Sequence, residues 1–298
     1  MQQRRGPGSR HILGGPRPRS PVEELQGFHI DSEDPLVGKT IHNKYKITRK
    51  IGGGGMGTIY RAIDQTGSVV ALKVIGADMT TKEDMRTRFM LEAEAATVVN
   101  HPNVIEVTEI GTFSNRVFCV MEYLEGQDLS KLLRKEKRLG WDQFKPLMLQ
   151  ICGGVAAAHD CKIIHRDLKP ANIFLIDRNG RDFVKVLDFG LAKFKDSKEE
   201  GITLSGTFLG TTSYAAPEQA RGSKDLDNRV DIYALGIIMY EMLTGKVPFK
   251  GETPIATLQM HINDVPRRPT ELNPSIPRDV EAVIMKALQK KREDRFQS

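Results

Sequence analysis

Two short strings of residues constrain what this chain can fold into more than any other feature of its sequence. The first is His-Arg-Asp-Leu-Lys-Pro-Ala-Asn at residues 165–172, and the second is Asp-Phe-Gly at residues 188–190. Either string alone could arise by chance. Both occur here with four further motifs, so coincidence is a negligible explanation and we expect all six to belong to one fold.

A glycine-rich run is the first of these four motifs, and its Gly52, Gly54 and Gly57 satisfy the pattern G-x-G-x-x-G. Alone the pattern is weak, because glycine runs are commonly linkers and dinucleotide-binding folds share the spacing. Residues 45–51 and 58–63 on either side alternate as strands do, which predicts a hairpin instead of a strand-to-helix turn. Glycines in such a hairpin let backbone N–H groups approach phosphate oxygens, because no side chain intervenes.

The second motif is Val-Ala-Leu-Lys at residues 70–73, an apolar strand that ends in a cation. Lys73 could be an ordinary strand-end lysine in solvent. However, a helix is predicted at residues 82–99, and it offers two acidic partners, Glu92 and Glu94. These carboxylates lie about 200° apart around a helix, so they cannot share the lysine. Each remains a candidate partner on spacing alone.

The remaining two motifs lie further along the chain. Residues 117–121, Val-Phe-Cys-Val-Met, have the pattern of a buried strand and run into Glu-Tyr-Leu-Glu-Gly at 122–126. Ala-Ala-Pro-Glu at 215–218 precedes a predicted apolar helix at 231–243, and the helix dipole favours the aspartate that begins this helix. All six motifs stand in an order that one protein family shares.

In type and order these motifs resemble those of protein kinases, and they are most similar to the eukaryote-like serine/threonine kinases of bacteria. The resemblance covers residues 45–298 and implies an α+β fold, the two-lobed protein kinase fold with a strand-rich small N-lobe and a mostly helical C-lobe. It places the N-lobe at 45–121, the hinge at 122–127 and the C-lobe at 128–298, with the family's last helix truncated.

The resemblance implies a role for each catalytic side chain. Asp167 would accept the proton of the attacking hydroxyl, and Lys169 would offset charge on the transferred phosphoryl group. Lys73 would orient the phosphates of ATP and would be braced by Glu92. The resemblance selects Glu92 over Glu94 by its distance from Asn-His-Pro-Asn at residues 100–103. A lysine at position 169 is also typical of serine/threonine specificity, so protein substrates with Ser or Thr acceptors are expected.

The same resemblance implies an ATP site between the lobes. Asn172 and Asp188 would hold Mg²⁺, with Mn²⁺ as the alternative metal. Main-chain groups of Glu122 and Leu124 would meet the adenine edge, while Met121 would limit the depth of the pocket. The full set of positions expected to contact the nucleotide is Gly52, Gly54, Gly57, Ile59, Ala71, Lys73, Met121, Glu122, Leu124 and Phe174.

Regulation is expected to act through Arg166, a cation directly before the catalytic aspartate. The segment from Asp188 to Glu218 corresponds to the activation segment of the family. In the family, a phosphorylated residue of this segment pairs with the arginine and orders the loop. Thr203, Ser205 and Thr207 are the candidates, modified in trans by another copy of the chain. The alternative is that all three are plain loop hydroxyls.

Three further residues are expected to support the site. Glu218 should pair with Arg295, and Asp231 should anchor the catalytic loop from beneath. The family's Asp-Pro before the arginine is replaced here by Lys291-Arg292, so the local turn is expected to differ.

Charge and composition separate the first residues from the rest. The net charge is +6, but residues 1–20 hold five Arg and no acid, so residues 21–298 carry only +1. A nucleic-acid partner would require a basic face, which the near-neutral remainder does not provide. Residues 1–36 are rich in Gly and Pro and poor in apolar groups, which predicts a disordered basic leader.

The chain shows no sign of export or of a membrane span. The leader has no apolar core of the kind found in secretory signals, and apolar runs elsewhere are too short to cross a bilayer. The three cysteines, Cys119, Cys152 and Cys161, form no C-x-x-C pair and are expected to be reduced core thiols. These features predict a cytoplasmic protein, with a membrane tether beyond Ser298 left open.

Two other classes of protein share parts of this pattern. A pseudokinase scaffold would bind nucleotide and partners without turnover, but such chains commonly lose Lys73, Asp167 or Asp188, and all three are present. A small-molecule phosphotransferase shares the aspartate-asparagine loop, but it would not be expected to carry Ala-Pro-Glu after a long segment. A protein kinase is therefore the favoured interpretation.

Overall fold

The computed structural model describes residues 34–54, 57–75, 90, 97–114, 116–189 and 212–298. Strands dominate the first half of the chain and helices the second. The strands are β1 Thr40–Ile41, β2 Tyr45–Gly54, β3 Gly57–Ile63, β4 Val69–Ile75, β5 Val107–Phe113, β6 Arg116–Glu122, β7 Gly126–Asp128, β8 Ile173–Arg178 and β9 Arg181–Val186. The α-helices are α1 Leu129–Glu136, α2 Trp141–Asp160, α3 Pro217–Ala220, α4 Arg229–Thr244, α5 Pro254–Asn263, α6 Pro269–Leu272 and α7 Arg278–Ala287. This is the expected two-lobed arrangement.

The N-lobe is an antiparallel sheet of six strands in the order β1-β2-β3-β4-β6-β5. Its core is formed by side chains such as Ile47, Leu72 and Phe118 on one face of the sheet, and along the strands they alternate with residues of the opposite face. Leu36 is also buried in this core, and Asp34 accepts a hydrogen bond from the hydroxyl of Tyr60 at 3.0 Å. The predicted boundary of the leader at residue 36 is therefore wrong, because residues 34–36 pack on the lobe.

The described glycines of the run lie at the end of the β2–β3 hairpin, which the alternation of the flanking residues predicted. Gly54 pairs with Gly57 across this hairpin. A Cβ on Gly57 would lie 2.3 Å from the carbonyl oxygen of Val74, and its φ is +149°, so packing alone requires glycine here. A Cβ on Gly52 would meet no atom of the described residues within 4 Å. Packing therefore does not explain glycine at position 52.

In the C-lobe, α4 is buried along almost its whole length and packs against α2 and α7. Helix α2 contains Gly154, where a Cβ would lie 2.9 Å from the carbonyl oxygen of Asn103. This close approach lets the loop before β5 rest on α2, which offsets the roughly 1 kcal/mol that a helical glycine costs relative to alanine.

A small sheet of β7, β8 and β9 lies where the two lobes meet. Val186 at the end of β9 bridges to Val104 and donates its N–H to the carbonyl of Asn103 at 2.8 Å. The chain between β6 and β7 is residues 123–125, within the predicted hinge. Strand β9 of the small sheet, which leads to Asp188, is therefore bound to the loop before β5.

His261 on α5 is fully buried between aromatic rings of the C-lobe. Its Nδ1 shares a hydrogen bond of 2.9 Å with the hydroxyl of Tyr233. Burial lowers the pKa of the His261 imidazole to about 4, with the nearby Lys290 ammonium acting in the same direction. The ring is therefore neutral in the folded protein near pH 7.

Two of the three cysteines differ from expectation. Cys119 is buried in β6, and burial raises the pKa of its thiol to about 11. Cys152 and Cys161 are exposed, so the prediction of core thiols is wrong for both: Cys152 lies on the outer face of α2, and Cys161 directly follows that helix. Among the described residues no helix is long and apolar enough to cross a membrane.

Candidate active site

Asp231, at the start of α4, holds the backbone of the catalytic loop. Its buried carboxylate accepts the N–H of His165 and the N–H of Arg166, each at 2.8 Å. Arg166 has a φ of 66°, a left-handed conformation that is strained for a non-glycine residue. The ring Nε2 of His159 lies 2.8 Å from the same carboxylate, a contact that sequence analysis missed. The predicted anchoring role of Asp231 is confirmed.

The loop then places three polar side chains next to one another. The ammonium of Lys169 lies 2.8 Å from Oδ2 of Asp167. The amide nitrogen of Asn172 donates to the carbonyl of Asp167, also at 2.8 Å. This bond occupies the Nδ2 end of the Asn172 amide and so leaves its oxygen as the end that could bind a metal.

Lys73 reaches across from the N-lobe to the same region. It is buried on β4, and its Nζ lies 2.5 Å from Oδ1 of Asp188. The ring of His165 packs on Phe189 with centroids 4.8 Å apart, and its Nε2 bonds to the carbonyl of Leu187 at 2.8 Å. These contacts hold the chain on both sides of Asp188.

Opposing effects act on the ionisation of Asp188. Burial disfavours the charged carboxylate, but the Lys73 ammonium and its hydrogen bond outweigh this effect, and His165 and Lys169 act in the same direction. The net result is a pKa below the ordinary aspartate value. The carboxylate is therefore charged near neutral pH, as a ligand of a hard cation must be.

The hinge contains a partly buried ion pair that sequence analysis did not find. Lys185 on β9 is buried, lies 2.5 Å from Oε1 of Glu122 and donates to the carbonyl of Val104 at 3.2 Å. Glu122 also accepts the N–H of Glu106 at 2.9 Å and donates its own N–H to the carbonyl of Glu106 at 3.1 Å. The N–H and the Oε1 atom of Glu122 are therefore both used within the protein.

An apolar cluster lies beside the hinge and could enclose the flat faces of a base. Its buried members are Ala71, Ile105, Cys119 and Met121, and its partly buried members include Ile59 and Leu124. Phe174 is partly buried on β8, where it pairs with Lys185 and Asp128. In the N-lobe sheet, Ile59 on β3 pairs with Lys73 on β4, so the strand after the glycine-rich run lies directly beside the lysine.

Five of the predicted site residues lie outside the described residues. These are Glu92, the proposed partner of Lys73, its competitor Glu94, and the candidate phosphosites Thr203, Ser205 and Thr207.

The end of the activation segment is fixed by the predicted Glu218–Arg295 pair. Arg295 bonds bidentately to the two carboxylate oxygens of Glu218, at 2.7 and 2.8 Å. The turn that differs from the family, Lys291-Arg292, leads into a short 3₁₀ helix at Arg292–Asp294, and the ion pair still forms. This pairing confirms the prediction.

In the described part of the chain, no three His, Cys, Asp or Glu residues form a cluster that could hold a metal by themselves. An Mg²⁺ site needs no such cage, because this ion is held by one or two protein ligands together with phosphates and water. The oxygens of Asp188 and Asn172 fit that description.

A two-lobed fold with a lysine, two aspartates and an asparagine between its lobes defines the class of nucleotide-dependent phosphotransferases. Comparison with known families is more specific: the model for the protein kinase domain matches residues 45–298. The chain therefore belongs to the protein kinase family, in its eukaryote-like serine/threonine branch from bacteria.

Individual relatives agree with this assignment. Serine/threonine-protein kinase pkn3 of Myxococcus xanthus is 42% identical over 269 residues, a match that covers 88% of this chain and 49% of the relative. Serine/threonine-protein kinase PrkC of Bacillus subtilis is 39% identical, over 86% of this chain and 39% of the relative. The chain thus spans about half the length of the first relative and less of the second.

Solved structures show the same fold. The PknI kinase domain of Mycobacterium tuberculosis superimposes with a TM-score of 0.69 at 26% identity, covering 88% of this chain and 93% of that domain. Members of this family use ATP and a divalent metal ion.

Proposed function

We propose that this chain transfers the γ-phosphoryl group of Mg-ATP to serine and threonine hydroxyls of other proteins. The observation that carries the proposal is the proximity of two bonded groups, Lys73 with Asp188 and Asp167 with Lys169 and Asn172. They are joined where the N–H of Leu187, next to Asp188, donates to the carbonyl of Asn172 at 2.8 Å. Three of these residues come from one loop, one from the N-lobe sheet and one from the chain after β9.

Each side chain has a role that follows from its charge. Asp167 orients the acceptor hydroxyl and takes its proton, and Lys169, 2.8 Å from that carboxylate, offsets charge on the moving phosphoryl group. Lys73, which is bound to Asp188 in this structure, orients the α- and β-phosphates, and Glu92 is its proposed partner. Because phosphoryl transfer has a loose transition state, positioning and electrostatics supply most of the acceleration.

Asp188 and the amide oxygen of Asn172 would hold the metal, which supplies charge neutralisation at the nucleotide phosphates. We assign Mg²⁺ because both ligands are hard oxygens and few in number. Gly52 supports the placement of the phosphates, since no atom of the described residues lies within 4 Å of a Cβ built there. The Glu122 carbonyl and the main chain of Leu124 would meet the adenine edge.

The proposal extends to regulation. The chain would phosphorylate a second copy of itself on Thr203, Ser205 or Thr207, and the phosphate would pair with Arg166. We further propose a cytoplasmic location, because the nucleotide substrate ATP is present there.

Asp167→Asn tests the catalytic assignment. The substitution removes the proton acceptor while keeping the shape of the side chain, so turnover should fall by about 10²-fold or more while nucleotide binding persists. Asp182→Asn, at an exposed position on β9, is the matched control and should keep the parent rate. Parent-like turnover in the Asp167 variant would refute the assignment.

A further inference from the structure

Gln219 on α3 makes two hydrogen bonds of opposite kind with the two ends of its side-chain amide. Its Oε1 accepts the N–H of Ala216 at 3.0 Å, within its own segment. Its Nε2 donates to the carbonyl of Arg166 at 2.8 Å, and this bond joins α3 to the catalytic loop. Helix α3 contains Glu218 at the end of the activation segment, so Gln219 connects that end to the residue before Asp167.

The acceptor of this bond belongs to a residue of the loop with a left-handed backbone conformation. Arg166 has a φ of 66°, in the left-handed region, and its N–H is held by Oδ1 of Asp231 at 2.8 Å. Conformations of this kind persist only where the surroundings hold them in place. Asp231 holds the N–H from α4, and Gln219 holds the carbonyl from α3. Both polar backbone groups of the strained residue are thus fixed from different elements.

The residue type at position 219 matters for this arrangement. A glutamate has the same length and could still accept the N–H of Ala216, but it has no proton to donate to a carbonyl near neutral pH. An asparagine has both groups but is one methylene shorter. The bridge therefore depends on the amide and on its length.

We propose that Gln219 is a positioning residue for Asp167: it couples the end of the activation segment to the orientation of the catalytic loop. The inference rests on the proposed kinase function and adds a route by which the activation segment acts on the proton acceptor. The two side-chain hydrogen bonds of Gln219 go to Ala216 and Arg166, and neither partner belongs to the hinge or is Lys73 or Asp188. The nucleotide side of the site should therefore be insensitive to its replacement.

The test is a steady-state comparison of Gln219→Glu with the parent on a serine-containing peptide. We expect kcat to fall by about tenfold or more with KM for ATP within about twofold of the parent. Gln150→Glu is the matched control, because Gln150 on α2 also accepts a backbone N–H, from Val184 at 3.0 Å, and donates to the carbonyl of Asp182. This control should keep the parent kcat, and melting temperatures of all three proteins verify folding.

A double variant separates positioning from a general structural effect. If Gln219 acts through Asp167, Gln219→Glu should cause no further loss in an Asp167→Asn background, because residues that act as a unit are non-additive. Multiplicative losses, or an unchanged kcat in the single variant of an active parent, would overturn the inference alone. A parent that binds ATP but phosphorylates nothing would instead overturn the proposed function, and the inference with it.

Discussion

Arg295→Met should remove a large part of the stability of the C-lobe. The guanidinium of Arg295 is fully buried, and all five of its N–H groups are used: two bond to Glu218, and three to the carbonyls of Gln289, Arg229 and Lys290. Methionine would fill most of the volume and satisfy none of these acceptors. The Glu218 carboxylate would remain, almost buried and without its counter-ion.

The expected magnitude follows from that carboxylate. Removing one partner of a buried ion pair costs about 3–5 kcal/mol, and the three orphaned carbonyls place the estimate at the upper end of that range. A domain of this kind has a free energy of unfolding of about 5–15 kcal/mol, so the loss is a large fraction of it. Urea unfolding followed by the fluorescence of Trp141, the sole tryptophan, measures the difference directly in the C-lobe.

Arg278→Met is the matched control for this experiment. Arg278 also pairs with a glutamate, Glu281 at 3.4 Å, but its side chain is 78% exposed. Exposed pairs contribute about 0–1 kcal/mol, so this variant should unfold close to the parent. If Arg295→Met cost no more than Arg278→Met, the conclusion that the buried pair holds the activation-segment end to the lobe would be wrong.

Two further predictions concern a histidine and the partner of the catalytic lysine. His261 is neutral when folded, with a pKa of about 4 against 6.5 when free, so unfolding takes up a proton below pH 6.5. Stability should therefore fall by about 2 kcal/mol between roughly pH 7.5 and pH 5 from this group, and urea unfolding of His261→Gln should lack that part of the decline. An equal pH dependence in both proteins would contradict a buried neutral ring. Glu92→Gln and Lys73→Met should each greatly reduce turnover, while Glu94→Gln should not. Steady-state kinetics on a peptide substrate would measure this. A loss with Glu94→Gln and none with Glu92→Gln would mean that the predicted helix register is wrong.

Sequence reasoning succeeded where a motif fixes a local geometry. The hairpin at Gly54 and Gly57 followed from alternation on both sides of the run, and the Glu218–Arg295 pair followed from the family resemblance. Asp231 was identified both as a helix start and as an anchor, and the structure shows both roles. In each case the nearby residues or the motif carried the information.

Sequence reasoning failed where distant segments decide the environment of a residue. Lys185 looks like an ordinary strand lysine, and only the packing of β9 against the hinge buries it beside Glu122. Leu36 lies in a polar stretch, so its burial depends on a sheet formed later in the chain. The bond from Gln219 to Arg166 joins residues 53 positions apart in the chain, and no local pattern marks it.

The most direct test of the proposed activity is the incorporation of phosphate from Mg-ATP into protein, with the modified residues mapped by mass spectrometry. The proposal predicts phosphate on serine and threonine, in an added protein substrate and in the segment between Asp188 and Glu218, and incorporation lower by about 10²-fold or more in Asp167→Asn. Nucleotide binding by the parent without any incorporation would contradict it and favour a scaffold that binds nucleotide without turnover.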